Sequence, residues 1–218
     1  MGCHVDFVLA PTCWYFTASP PEGAIGPRAD TWTCMFALMG KVESGRPVSF
    51  TAEAPGCVGA GNYLGFNTVP AIAAALYLSG KERLKKDAGL ATAFYNEVKA
   101  PEAEEACLIF SRLDSIPGEV EVEVVNLWTG AASLSILHTL ANYDRATNDN
   151  VIMPFSSGCQ SIWTLPYKES RSAMPKAVAG SLDPTVRPFL PEETISFSAP
   201  AARFIEMSAN IEGSFLAP

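Results

Sequence analysis

Histidine and positive charge are scarce in this chain, and each shortage excludes a class of function. Two of the 218 residues are histidine, His4 and His138, so a catalytic imidazole base or a histidine-rich metal site has few sources. Lysine and arginine number 15 against 23 acidic residues, which gives a formal net charge of −8. Because nucleic-acid binding depends on clustered Lys and Arg side chains that displace counterions from phosphates, we expect no nucleic-acid partner.

Long apolar runs are also missing. No stretch reaches the roughly 18 to 20 consecutive apolar residues that a transmembrane helix needs, and the longest one, residues 69–78, contains Pro70. The first residues, MGCHVDFVLAPTCWYF, lack the basic start of a signal peptide. We therefore expect a cytoplasmic protein with no membrane partner.

The six cysteines form no short metal-binding or redox motif. The sequence has no CxxC pair and no zinc-finger spacing among Cys3, Cys13, Cys34, Cys57, Cys107 and Cys159. A disulfide scaffold is not expected in a chain of this size without an export signal. Cys107, in the run ACLIF, is typical of a small buried apolar side chain.

The composition of the chain is apolar. Hydrophobic residues make up 48% of the chain and charged residues 17%, with a mean hydropathy of +0.15. Such a chain can bury a sizeable core, and its apolar character is compatible with a homo-oligomer.

Short β-branched or aromatic runs alternate with segments that have apolar residues at helical spacing. The runs predict strands within 46–53, 106–110, 120–128, 150–155, 176–180 and 194–200. The spacing predicts helices at 31–42, 70–86, 90–98, 131–141 and 201–209. We therefore expect an α/β or α+β fold in which helices cover a mixed β-sheet. We assign residues 14–218 to a single compact domain and residues 1–13 to a poorly defined N-terminal segment.

Three cysteines stand in unusual local settings. Cys57 and Cys159 each follow a glycine, in PGCVGAGNYLGF and FSSGCQSIW, and Cys34 lies in the aromatic stretch TWTCMF. A glycine before a cysteine allows a tight turn and leaves backbone amides free to face a thiolate or an anion. The spacing of GCVGAG matches neither the dinucleotide-binding nor the P-loop pattern, so it does not indicate a nucleotide site.

Several longer segments carry a resemblance to a known family. The segments GRPVSFTAEAPGCVGAGNYLGF, ANYDRATNDNVIMPFSSGCQSIWTLPY, KAVAGSLDPTVRPFLPEETISFSAP and FIEMSANIEGSFL occur in family order. Together they resemble the bacterial and archaeal family catalogued as domain of unknown function 169. The resemblance implies the fold group more than an activity, since no biochemical activity is firmly assigned to the family. It also implies cysteines in three segments, at positions that correspond here to Cys34, Cys57 and Cys159.

Three hypotheses for function stay open at this point, and whether the protein is an enzyme is open with them. The first is a metal site in which Cys34, Cys57 and Cys159 bind an iron–sulfur cluster or a thiophilic metal, because thiolates are soft ligands. The second is a small-molecule-binding protein with an aromatic pocket formed by Trp32, Tyr63, Phe66, Phe155 and Trp163. The third is a thiol-dependent enzyme with Cys159 as nucleophile on a turn like a nucleophile elbow.

The polar loop before Cys159 supplies further site candidates. Arg145 could hold an anionic ligand through its guanidinium, and Asn150 lies where the loop meets the next strand. With Trp163, these residues are the candidates for contact with a cofactor. His138 lies in ASLSILHTLANYD, where the apolar spacing indicates a packing face rather than a catalytic base.

Overall fold

The computed structural model describes residues 4–217. Within that part of the chain, seven strands form one sheet in the order β2-β3-β1-β4-β7-β6-β5. Neighbouring strands are antiparallel except β5 and β6, which run parallel. The strands are β1 (Phe7–Thr17), β2 (Val48–Phe50), β3 (Cys107–Arg112), β4 (Val124–Thr129), β5 (Val151–Ile152), β6 (Ala177–Gly180) and β7 (Ile195–Pro200).

Helices cover both faces of the sheet, so the predicted layered fold with a mixed sheet is confirmed. The α-helices are α1 (Met39–Glu43), α2 (Ala60–Tyr63), α3 (Ala71–Leu76), α4 (Ala88–Glu97), α5 (Ala131–Asn142), α6 (Leu165–Glu169) and α7 (Ala201–Ala209). Short 3₁₀ turns occupy Met35–Leu38, Leu113–Ser115 and Arg187–Phe189, and π-helical turns occupy Tyr77–Lys81 and Gln160–Thr164. No helix among residues 4–217 combines the length and the apolar character needed to cross a membrane.

Strand β1 crosses the boundary that the sequence suggested at residue 13. It lies in the middle of the sheet between β3 and β4, so residues 7–13 belong to the sheet rather than to a poorly defined segment. Pro11 hides the strand in the sequence because proline cannot donate a ladder hydrogen bond and is confined to edges or bulges. The pairing of β1 with β4 indeed changes register between Leu9 and Thr12.

Two predicted helices are shorter than expected. The segment predicted as a helix over 31–42 begins as a 3₁₀ turn at Met35, and Cys34 before it has an extended backbone. The segment predicted over 70–86 ends its α-helix at Leu76 and continues as the π-helical turn Tyr77–Lys81. Apolar periodicity does not distinguish α-, 3₁₀- and π-helices well, because each type of helix buries one face.

The sheet separates the cysteines onto two sides. Along β1, Trp14 belongs to the largest core cluster, whereas Cys13 and Tyr15 point to the opposite face, as the twofold repeat of a strand requires. Cys107 is 3% exposed and packs with Cys13, so its predicted burial is confirmed. Cys159 belongs to the Trp14 side, and Cys34 and Cys57 pack against that same cluster.

Candidate functional site

A cavity of about 290 Å³ lies on the Trp14 side of the sheet. Cys34, Cys57 and Cys159 all line it, although they come from three segments that are far apart in sequence. Below, "the thiol cavity" denotes this space. The fold therefore brings together the three cysteines that sequence analysis selected, while Cys13 and Cys107 lie on the other face.

Backbone pairing places Cys34 beside Cys57. The Thr33 N–H donates to the Gly56 carbonyl oxygen at 3.2 Å, so the cysteines that follow these two residues start from adjacent backbone. Gly56 has φ of +101°, a conformation that other residues rarely adopt. A Cβ at this position would also lie 3.1 Å from the Thr33 carbonyl oxygen. Both the positive φ and the close approach of the Thr33 carbonyl therefore favour glycine before Cys57.

Close packing at Gly158 places Cys159 against the same cavity. A Cβ on Gly158 would lie 2.4 Å from Phe36 Cε2 and 3.0 Å from Val186 Cγ1. The Gly158 N–H donates to Asp183 Oδ2 at 2.7 Å, and the Thr185 N–H donates to Asp183 Oδ1 at 2.9 Å. Asp183 is 4% exposed, so it is a buried anchor that ties the turn of Cys159 to the loop after β6.

The chain after Cys159 forms a π-helical turn that is fixed to the sheet. Asn126 of β4 is fully buried, and its Nδ2 donates to the Ile162 carbonyl at 2.8 Å. Gly180 of β6 lets this turn approach closely, because a Cβ there would lie 2.5 Å from Ser161 Cβ. Single π-helical turns occur frequently at functional sites, and the turn Tyr77–Lys81 also reaches the thiol cavity through Tyr77.

The three thiols are protonated at neutral pH when nothing is bound. Burial raises the pKa of Cys34 to about 12, with the nearby Cys57 adding to the effect. Burial likewise raises the pKa of Cys57 and of Cys159, and for Cys159 the charges of Cys57 and Cys34 contribute in the same direction. This mutual influence agrees with three sulfurs that share one site. Backbone amides oppose the effect at Cys57, whose sulfur accepts from the Ala60 N–H at 3.4 Å.

The charged side chains that line the thiol cavity are acidic. Glu82 and Asp183 are part of the wall, and no Lys, Arg or His side chain from residues 4–217 belongs to it. Burial, together with the charge of Asp183, raises the pKa of Glu82 to about 7. The cavity therefore disfavours additional negative charge and suits a cation or a neutral group.

Aromatic rings form much of the remaining wall. Trp32 and Tyr63, two of the five predicted pocket aromatics, line the thiol cavity, and Tyr63 stacks on Tyr95 at 4.9 Å between ring centroids. Phe66, Phe155 and Trp163 do not line it. Trp163 is fully buried and stacks on Tyr167 at 4.2 Å, while Phe155 packs near Phe94 at 5.5 Å.

The other predicted contact residues lie away from the thiol cavity. Arg145 pairs with Glu206 at 2.8 Å, and Asn150 is buried in its own loop, where it donates to Asn142 Oδ1 at 2.9 Å and to the Thr147 carbonyl at 2.7 Å. A role of Arg145, Asn150 or Trp163 in cofactor binding stays a prediction. In the structure each of them contacts other residues of the chain. His138 is an exposed residue of α5, and His4 is exposed beside Asp6, with 3.1 Å between Nε2 and Oδ1.

The arrangement is not a ready-made site for a single metal ion. Among residues 4–217, no group of three or more His, Cys, Asp or Glu side chains could hold one ion. Three thiolates on one zinc ion would lie about 4 Å apart, since each Zn–S bond is about 2.3 Å long. The three sulfurs share a cavity, but they do not form such a group in the part of the chain that the structure describes.

One Gly-Cys turn follows β2 and a second precedes the π-helical turn Gln160–Thr164. This order of segments matches the sequence pattern that resembles domain of unknown function 169. A family model, described as uncharacterised ArCR and domain of unknown function 169, matches residues 2–210. The chain belongs to this DUF169 family. No curated protein and no solved structure matches it. In this DUF169 protein, the thiol cavity is therefore the feature that bears on function.

Sequence reasoning missed four residues of the site. Glu82, Tyr77, Tyr95 and Asp183 line the thiol cavity, but the first three lie in segments that look like ordinary helix surface. A signal existed for Asp183, because the Asp-Pro pair in SLDPT favours a turn in which the carboxylate accepts backbone N–H groups. No local pattern distinguishes Glu82 from the other solvent-facing carboxylates of the chain.

Proposed function

We propose that this protein binds an iron–sulfur cluster through Cys34, Cys57 and Cys159. One observation carries the proposal. Three thiols from three distant segments line a single cavity. Thiolates are the ligands that iron–sulfur clusters and soft metals prefer.

A cluster fits these residues better than a single ion. In a cubane [4Fe–4S] cluster each thiolate binds a different iron atom, so the thiolate sulfurs lie further apart than they do around a single metal ion. That requirement agrees with three thiols that share a cavity but form no single-ion group within the described chain. When bound, such a cluster would supply one-electron chemistry, or an iron atom with an open position for a further ligand.

Cluster binding requires the three thiols to lose their protons. Burial holds the free thiols neutral, and a bound cluster would displace the three protons and offset the thiolate charge with its own positive core. The Ala60 N–H directed at the Cys57 sulfur is the kind of hydrogen bond that tunes thiolates bound to a cluster.

Anaerobic reconstitution tests the proposal. Purified protein is incubated with iron and sulfide, and bound iron, bound sulfide and visible absorption are measured after desalting. We expect the wild type to retain both elements and each of Cys34→Ser, Cys57→Ser and Cys159→Ser to retain much less. Cys107→Ala is the matched control, because this cysteine lies on the other face of the sheet. A wild type without iron, or a triple serine variant that loads equally well, would refute the proposal.

Loading should depend on pH. Because ligation removes protons from thiols whose pKa lies above its ordinary value, binding releases protons and apparent affinity rises with pH. Iron content measured across a pH series should therefore fall on the acid side.

The thiol-enzyme hypothesis gains no support from the same geometry. Cys159 is 6% exposed, and burial raises its pKa, whereas a reactive cysteine needs a lowered pKa and access to reagent. Neither His4 nor His138 is part of the cavity wall. We expect iodoacetamide to label Cys159 no faster than Cys34 or Cys57 in the metal-free protein.

A further inference from the structure

The wall of the thiol cavity holds a carboxylate, that of Glu82, without a partner among residues 4–217. Glu82 follows the π-helical turn, and its N–H donates to the Tyr77 carbonyl at 3.1 Å, five residues back. This turn brings Tyr77 and Glu82 to the same cavity. Within the described part of the chain, no hydrogen bond or ion pair engages the Glu82 carboxylate, while Asp183 is fully occupied by Gly158 and Thr185.

Aromatic side chains form another part of the wall. Tyr63 is 1% exposed and lines the cavity, and its hydroxyl lies near the polar groups of Tyr95 and Ser157. Tyr63, Tyr77, Tyr95, Trp32 and Phe189 present aromatic rings to the same space.

Rings around an unpaired carboxylate suit a small organic cation. The face of an aromatic ring attracts positive charge, and pockets that recognise methylated ammonium groups combine several such faces. Rings near this cavity already contact lysines of the chain, with Lys81 Nζ 5.4 Å from the Tyr77 ring centre and Lys85 Nζ 4.2 Å from that of Phe94. A volume of about 290 Å³ lies near the lower end of the range for ligand pockets and therefore suits a small organic molecule.

We propose that the thiol cavity binds a small aliphatic ammonium ion, held by the Glu82 carboxylate and by the rings of Trp32, Tyr77 and Tyr95. This inference concerns the cavity of the proposed function but does not rest on a bound metal. The absence of Lys, Arg and His from the described wall means that a carboxylate or phosphate of similar size should be rejected.

Isothermal titration calorimetry on the metal-free protein tests the inference. The probes are tetramethylammonium chloride, its neutral near-isostere tert-butanol, and sodium acetate, at ionic strength matched with sodium chloride. We expect saturable binding of tetramethylammonium that is at least about tenfold tighter than that of tert-butanol, and no binding of acetate. Tryptophan fluorescence gives a second readout, because Trp32 is 61% exposed while Trp14, Trp128 and Trp163 are fully buried.

Matched variants assign the site. Glu82→Gln should weaken tetramethylammonium binding by about tenfold or more, and Trp32→Leu should weaken it and remove the fluorescence change. Glu97→Gln, a carboxylate variant at the end of α4 outside the cavity wall, should bind as the wild type does. Equal binding of tert-butanol and tetramethylammonium, or unchanged affinity in Glu82→Gln, would overturn the inference, as would a failure of tetramethylammonium to reach saturation.

The outcome is separable from that of the cluster proposal. The triple variant of Cys34, Cys57 and Cys159 to serine should still bind tetramethylammonium, because the carboxylate and the rings remain. Binding of the ammonium ion without iron loading would refute the cluster proposal alone. Iron loading without ammonium binding would refute this inference alone.

Discussion

A methyl group added at Gly158 should disturb both the stability of the protein and the geometry of the thiol cavity. Gly158 precedes Cys159, and a Cβ there would lie 2.4 Å from Phe36 Cε2, 2.9 Å from Phe36 Cζ and 3.0 Å from Val186 Cγ1. Contacts under 3 Å cannot persist, so either the ring of Phe36 or the turn of Cys159 must move. We expect the turn to move, because Phe36 is 1% exposed and packs edge-on against Trp128 at 6.3 Å.

The magnitude follows from the packing. Overpacking a well-filled core costs about 1–3 kcal/mol. Displacement of the turn also strains the hydrogen bond from the Gly158 N–H to Asp183 Oδ2, which is worth about 1 kcal/mol. Reduced entropy of the unfolded chain offsets roughly 0.4–1 kcal/mol of this loss. For Gly158→Ala we therefore expect a net destabilisation of about 2 kcal/mol, and a Tm lowered by roughly 4–8 °C.

Thermal and urea unfolding of Gly158→Ala measure this loss, and Gly40→Ala is the matched control. Gly40 lies in α1, where an added Cβ meets nothing within 4 Å, so alanine there should leave stability unchanged or raise it. In the Gly158→Ala background, Phe36→Leu should recover part of the loss, since the two sites share one contact. If Gly158→Ala is as stable as Gly40→Ala, the close packing that we assign to the Cys159 turn is wrong.

Three further predictions concern the carboxylates of Asp183, Glu82 and Asp144. Asp183→Ala leaves the Gly158 and Thr185 N–H groups without their acceptor and should cost about 1–3 kcal/mol in urea unfolding; a loss as small as that of an exposed control such as Glu119→Ala would contradict the anchor role. Glu82 has a folded-state pKa raised to about 7 from about 4.5, so its ionisation destabilises the folded protein as pH rises through that window. The Tm of Glu82→Gln should therefore exceed that of the wild type near pH 8 and equal it near pH 4. The same difference in Tm at both pH values would contradict a destabilising ionisation of Glu82. Asp144 pairs with the fully buried Arg203, which lowers the pKa of Asp144 to about 2. The stability from this pair, about 1 kcal/mol because solvent screens the partly exposed Asp144, is present above pH 4 and is lost as pH falls towards 2. Asp144→Asn should accordingly lose less stability over that acid range than the wild type, and identical acid curves would exclude the pair as their cause.

The secondary structure was largely predictable because it follows local patterns. The run TISFSAP predicted β7, and the apolar spacing at residues 201–209 predicted α7 with its observed bounds. The failures occurred where a local rule met a tertiary requirement. Pro11 concealed β1, whose irregular pairing with β4 accommodates it in the centre of the sheet. Cys34 fell outside its predicted helix because its segment pairs with Gly56 instead.

The candidate site was predictable in part. Cys34, Cys57 and Cys159 stood out because their neighbours are glycines and aromatics, and all three line one cavity. Arg145 and Asn150 looked equally suited to a ligand, but they pair with Glu206 and with Asn142 away from it. The sequence does not indicate whether a polar side chain contacts a ligand or another residue of the protein.

The sequence by itself determined the fold class, the acidic character and the identity of the three cysteines, because each depends on composition or on residues close in the chain. Tertiary structure alone decided that the cysteines share a cavity, that Glu82 and the tyrosines complete its wall, and that no basic side chain of the described chain lines it. These features depend on how the loop after β6, the π-helical turn after α3 and the two Gly-Cys turns meet in space. The packing that brings these segments together joins residues as far apart in the chain as Trp32 and Phe189, so no local sequence pattern records it.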